Sequence, residues 1–180
     1  MITKAEHKNA QEKAALLIQN AGIRIKEEEI AEISVADFGF SNLEVEGAQI
    51  LTFFSTDRVS AKVIALFPKQ TLPEHWHPPV ASDPGKQEII RIIDGTAYFC
   101  IPGEDTLESA AIPAGKEDVY TCRHEVIMKE GDQLVLEPGT KHWLQAGEEG
   151  AVMYSFSTCA RDALDRFTDP KVVRETAMAD

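Results

Sequence analysis

The stretch Glu74-His75-Trp76-His77 decides how this chain is read. In an extended strand successive side chains point to opposite faces, so His75 and His77 share one face and both imidazoles can reach one point. Glu74 and Trp76 take the other face. Glu74 is therefore not a ligand candidate, and Trp76 reads as packing. The ten residues after His77 include Pro78, Pro79, Pro84 and Gly85, which mark a loop. Lys86 to Ile93 then reads as a strand with Glu88, Ile90 and Ile92 on one face. A carboxylate among apolar side chains is costly to bury unless a cation offsets its desolvation. Much later, Pro138-Gly139-Thr140 turns into His142. Three imidazoles and a carboxylate, from His75, His77, His142 and Glu88, form a full ligand set for a borderline or hard divalent ion. An ion that takes six ligands keeps positions for water or substrate.

Outward from these ligands the pattern is that of short strands. Ile50-Leu51-Thr52-Phe53-Phe54 is β-branched and aromatic, and Thr56-Asp57-Arg58 reads as a turn. Val59 to Phe67 is a nearly continuous apolar run, as in a strand buried on both faces. Lys62 interrupts it on the face of Ile64 and Leu66. If that face lines the interior, the ammonium needs a partner or a lowered pKa, which is how a proton-transfer lysine is made. Otherwise Lys62 ends the strand in solvent. Asp94-Gly95 reads as a hairpin, Tyr120 to Met128 as a strand with a structural His124, and Gly147 to Gly150 as a turn. Ala151 to Ser157 is the last clear strand. Regular short strands between Gly/Pro turns imply one antiparallel β-sandwich or jelly roll, a mainly β fold.

The ends read differently. Thr3-Lys4-Ala5-Glu6 is a capping box that opens a helix, with Ala14, Leu17, Ile18 and Ala21 as its apolar stripe and Gly22 as its stop. Lys26 to Ile33 suits a second short helix. Both helices are expected to cover the barrel or to join a dimer contact, with His7 in solvent. Asp37 reads as a turn former, and Lys86 as a loop residue or a partner for a substrate oxygen. Arg161, Asp162, Asp165 and Arg166 form a charged cluster. It either closes over a small molecule, with Asp165 as an acid–base or hydroxyl-binding candidate, or is a solvated tail. The resulting division is a helical segment 1–48, a barrel 49–160 and a tail 161–180, in one domain.

A chain of 180 residues suits a single domain with a substantial core. A formal net charge of -12 argues against nucleic acid as a partner and fits a neutral small molecule. Cys100, Cys122 and Cys159 are odd in number and form no C-x-x-C pair, so a reducing compartment is expected. The N-terminal residues do not resemble a secretory signal, and no run approaches the roughly 18 apolar residues of a membrane span. These features together predict a cytoplasmic protein.

Lys69 to Gly95 resembles the first cupin motif, G-x5-H-x-H-x3/4-E-x6-G, through His75, His77, Glu88 and Gly95. Gly131 to Ala146 resembles the second, G-x5-P-x-G-x2-H-x3-N, through Gly131, Gly139 and His142. Lys69, Glu137 and Ala146 depart from these patterns, and the spacing from His77 to Glu88 is longer than usual. A narrower resemblance covers most of the chain. Val35-Ala36-Asp37-Phe38-Gly39, Glu74 to Pro79, Pro84-Gly85-Lys86, Gly147 to Ala151 and Phe167-Thr168-Asp169-Pro170 are similar to the small single-cupin D-lyxose isomerases.

That resemblance implies a homodimer that interconverts D-lyxose and D-xylulose, with mannose and fructose as a second pair. It implies manganese as the ion, with zinc, iron, cobalt and nickel as substitutes. It also favours the functional reading of Lys62, as the group that handles the hydroxyl proton. The carbon-bound proton is left to a ligand carboxylate, a hydroxide on the ion or Asp165. The same resemblance implies a glutamate near the middle of the last strand, where this chain has Ser155. Two other classes share the ligand set: an iron(II) cupin dioxygenase, which has no use for Lys62, and a sugar- or metal-binding cupin without turnover.

Overall fold

The computed structural model describes residues 1–179. In chain order the elements are β1 (Ile2–Thr3), α1 (Lys4–Asn20), α2 (Glu27–Glu32), β2 (Ser34–Ala36), β3 (Ala48–Ser55), β4 (Val59–Leu66), β5 (Thr71–Trp76), β6 (Glu88–Ile101), β7 (His124–Lys129), β8 (Gln133–Leu136), β9 (His142–Thr158), a 3-10 turn η1 (Asp162–Leu164), β10 (Arg166–Phe167) and β11 (Met178–Ala179). Nine strands form one curled antiparallel sheet, in the order β10-β5-β9-β4-β3-β2, with β6 joining β9 to β7 and β8. The architecture is a single cupin jelly roll with two N-terminal helices.

Two long strands make the curl. The first part of β9 pairs with β5 (His142 opposite His75) and the second part with β4 (Ser155 opposite Lys62), while β6 runs beside both parts. The sequence predicts turns at Asp94-Gly95 and at Gly147 to Gly150, but both lie inside these strands. Gly95 takes φ +78 and Gly150 φ +87. A Cβ at Gly95 would stand 2.3 Å from the carbonyl oxygen of Gly150, so the two bends interlock where no side chain fits. The signals therefore mark bulges that let one strand serve both sides of the barrel. The predicted strand from Tyr120 begins only at His124, because Tyr120 and Cys122 belong to a buried loop cluster with Trp143.

β4 is apolar on both faces because both are covered. Lys62, Ile64 and Leu66 face the barrel interior, where Ile64 and Leu66 pack with Leu72, Ile90, Ile92 and Met153. Val63 and Ala65 face outward under α1, whose Ala10, Ala14, Ala15 and Ile18 are buried against them. Three alanines let the helix sit close to the sheet. The capping box at its start forms as predicted: Glu6 N–H donates to Thr3 Oγ1 at 3.1 Å, and Thr3 N–H to Glu6 Oε2 at 2.7 Å. Such a cap contributes about 1 kcal/mol. β1, just before it, pairs in parallel with β11. That pairing carries the last residues back over the barrel mouth and places His7 at the rim of the interior cavity rather than in open solvent. Among the described residues, no helix is long and apolar enough to cross a membrane.

Candidate metal centre

β5 and the start of β9 lie side by side, so the parity of both strands turns His75, His77 and His142 into the barrel. One nitrogen from each ring lies within 4.8 Å of the others. Nitrogens sharing one ion at about 2.1 Å are at most about 4.2 Å apart, so a small inward movement converts this cluster into a coordination shell. The rings are already oriented for it. His75 Nδ1–H donates to the carbonyl of Pro73 at 2.8 Å, and His142 Nδ1–H to that of Thr140 at 2.9 Å. Each therefore presents Nε2 with its lone pair, as backing partners of metal-bound histidines do. Burial holds the pKa of His142 down at about 4 and that of His75 well below the usual imidazole range. Both rings are neutral at pH 7, the state a metal requires. The donor set fits a divalent cation.

His77 is held by charge instead. Its Nδ1–H donates to Asp165 Oδ1 at 2.6 Å, and its Nε2 stands 3.1 Å from Glu88 Oε2. Burial pushes its pKa down, but the two carboxylates outweigh burial and raise it. Glu88 is itself buried. Burial pushes its carboxyl up, yet the Lys86 ammonium 3.3 Å away, together with His77, leaves it well below the ordinary range. Ser155 completes this shell by donating its hydroxyl to Glu88 Oε1. Glu88 thus lies one hydrogen bond from His77, ionised and facing the same cavity as the three imidazoles.

That cavity, of about 390 Å³, has a size usual for small-molecule sites. Lys62 lines it and forms an ion pair with Asp162, the partner that a buried ammonium needs. Burial pushes the Asp162 carboxyl up, but Lys62 outweighs burial, so its pKa is lowered and it is ionised at neutral pH. The charged cluster after the barrel therefore divides. Asp162 and Asp165 turn inward, whereas Arg161 turns out to pair with Asp83 at 2.6 Å and Arg166 is exposed. The charged cluster in 161–166 left open whether it closes over a small molecule or is solvated, and did not say which members turn inward. Arg174, 3.0 Å from Asp165 and 3.3 Å from Asp162, carried no sequence signal at all.

The remaining candidates fall outside the cavity. Glu74 is buried on the opposite face, where it accepts from the Thr121 hydroxyl, the Cys122 N–H and the Thr168 hydroxyl at 2.6–2.8 Å. It ties the back of the histidine strand to two loops. The Lys141 ammonium lies 5.4 Å from the Trp76 ring centroid. His124 bonds Thr106 at the far end of β7. Asp37 is fully buried, accepts the Gly39 N–H at 3.1 Å as a turn former does, and lies 3.2 Å from the Met1 amine.

No protein-family model matches the chain. A D-lyxose ketol-isomerase of Cohnella laeviribosi is 46% identical over 170 residues, covering 94% of this chain and 93% of that protein. A D-lyxose/D-mannose isomerase of Thermosediminibacter oceani is 46% identical over 175 residues, covering 97% of each. Among solved structures, the L-ribose isomerase of Cellulomonas parahominis superposes with a TM-score of 0.83 at 17% identity, over 99% of this chain and 98% of that one. At that identity the likeness is one of fold.

Proposed function

The chain belongs to the D-lyxose ketol-isomerase family, and from that premise we propose that it is a metal-dependent aldose–ketose isomerase of free sugars, interconverting D-lyxose and D-xylulose. One observation carries the reading beyond family membership: an ion pair between buried Lys62 and half-buried Asp162 lines the same cavity as the three imidazoles and Glu88. Aldose–ketose isomerisation needs two proton movements, one between C1 and C2 and one between O1 and O2. An oxygenase reaction at the same ligand set has no use for the pair.

His75, His77, His142 and Glu88 would hold the ion, with manganese as the proposed metal. A bound divalent ion supplies Lewis acidity, which polarises the sugar carbonyl and favours the enediol. Lys62 donates a proton to the O1 carbonyl oxygen and takes one back from the O2 hydroxyl, and Asp162 keeps its ammonium oriented. Asp162, which lines the cavity beside Lys62, takes the proton from C2 of the aldose and returns it to C1. Ser155 sits across the ladder from Lys62, so a carboxylate from η1 stands beside the position where the family resemblance implies a glutamate. Both oxygens of Asp165 are engaged, by His77 and by Arg174. We assign it to orienting His77 rather than to proton transfer.

The test is purified protein with manganese and D-lyxose in heavy water, followed by NMR. D-xylulose carrying solvent deuterium is the expected result. No conversion of D-lyxose, nor of other aldoses with other divalent metals, would overturn the isomerase reading. The assignment of Asp165 has its own test. Asp165→Asn should weaken metal binding by about 10–100-fold, measured by chelator competition, with activity largely restored by excess metal. A loss of turnover that excess metal does not restore would return Asp165 to the proton-transfer chemistry.

The same reading extends to assembly and place. A row of apolar side chains crosses the uncovered outer face of the sheet: Phe54 on β3, Ala61 on β4, Phe156 and Ile89 on β9 and β6, and Val135 on β8. Phe54, Phe156 and Val135 are exposed. A contiguous apolar surface of this kind supports the proposed homodimer. Three unpaired cysteines support a cytoplasmic location.

A further inference from the structure

Residues 170–179 cross the barrel mouth as a strap. Val173 N–H donates to the Phe38 carbonyl at 2.9 Å, Asp37 N–H donates to Thr176 Oγ1 at 2.9 Å, and β11 pairs with β1. Between these ties Arg174 turns inward. Its Nη1 donates to Asp165 Oδ2 at 3.0 Å, and its Nη2 lies 3.3 Å from Asp162 Oδ2. Asp162 is the partner of Lys62, and Asp165 the partner of His77. One guanidinium therefore stands between the group that faces the hydroxyl proton and a ring of the metal cluster.

We propose that Arg174 is a positioning residue: by bridging Asp162 and Asp165 it fixes the spacing between Lys62 and His77, so that the strap completes the active site. The inference rests on the isomerase reading given above. Its physical basis is geometric. Asp162 and Asp165 lie three residues apart on a short turn, both facing a cavity that already holds Glu88, and they repel each other. A planar fork with two separate N–H groups satisfies one oxygen of each, which a point charge cannot do. Because the Arg174 side chain is 36% exposed, its ion pairs add little to stability. Its removal should therefore disturb the site more than the fold.

The experiment compares Arg174→Ala, Arg174→Lys and, as a control on the same strap, Lys171→Ala, each saturated with manganese. Arg174→Ala should lower kcat by about 10-fold or more with a smaller change in KM, and should weaken metal binding several-fold in chelator competition. Arg174→Lys should recover only a minor part of kcat, whereas millimolar guanidinium should restore a larger part in Arg174→Ala. Lys171→Ala should match the parent. A folded Arg174→Ala protein with kcat within twofold of the parent overturns the proposal, and so does full recovery by lysine. If Arg174→Ala does not fold, Arg174→Lys alone decides. If the parent turns over no aldose, the isomerase reading has failed instead. The metal arm then still applies, and unchanged metal affinity in a folded Arg174 variant overturns the bridge.

Discussion

Replacing His142 with alanine should remove the metal and the activity together. The ring is 2% exposed, neutral, and held by the Thr140 carbonyl so that Nε2 points to the two other imidazoles. Without it the set loses one of its three imidazoles, and an ion that takes six ligands keeps only His75, His77 and Glu88 from the protein, so its affinity falls. The Lewis acid is worth several kcal/mol in the transition state, and each 1.36 kcal/mol is tenfold in rate. Activity should therefore fall by about 10³-fold or more, and His75→Ala should behave alike. Metal content by mass spectrometry and kcat on D-lyxose are the two readouts. Full occupancy retained in both variants would remove these histidines from the ligand set. A thermal melt of the metal-free proteins separates this effect from the cavity left by a missing ring.

Lys62→Met should separate the two effects, keeping the metal and losing turnover. Methionine preserves the length and most of the packing against Ile64 and Leu66 but carries no proton. Loss of a positioned acid–base group typically costs 10²–10⁴-fold, so kcat should fall by about that factor while metal content stays full. The substitution also leaves the Asp162 carboxylate without its main partner. Asp162→Asn, which removes the charge and keeps the shape, is the companion variant and should cost a similar factor. Unchanged kinetics for Lys62→Met would take Lys62 out of the mechanism.

How much of this was legible before folding varies by residue, for physical reasons. The histidines were readable because strand parity is strict: residues two apart share a face whatever the rest of the chain does. Glu88 was readable for the same reason, and because a carboxylate among isoleucines needs an explanation. Lys62 was half readable. Its face was fixed by alternation, but its partner lies 100 residues away, on a turn whose inward side no local pattern reveals. Arg174 was not readable, because what brings it to the site is the parallel pairing of two-residue strands at opposite ends of the chain. The bends at Gly95 and Gly150 were misread, the first as a hairpin and the second as a turn between strands. Glycine reports a left-handed backbone but not whether the chain reverses or merely bulges.

The bulge within β9 has a consequence for how such a site can change over generations. The strand carries His142 near one end and Ser155 near the other, on either side of Gly147 to Gly150. In an unbroken strand, inserting one residue would flip every later side chain to the opposite face. Here the slack of the bend can absorb such a slip. The proposed ligand end and the proposed proton-transfer end are thus free to vary separately, and a change of sugar need not disturb the proposed ion site.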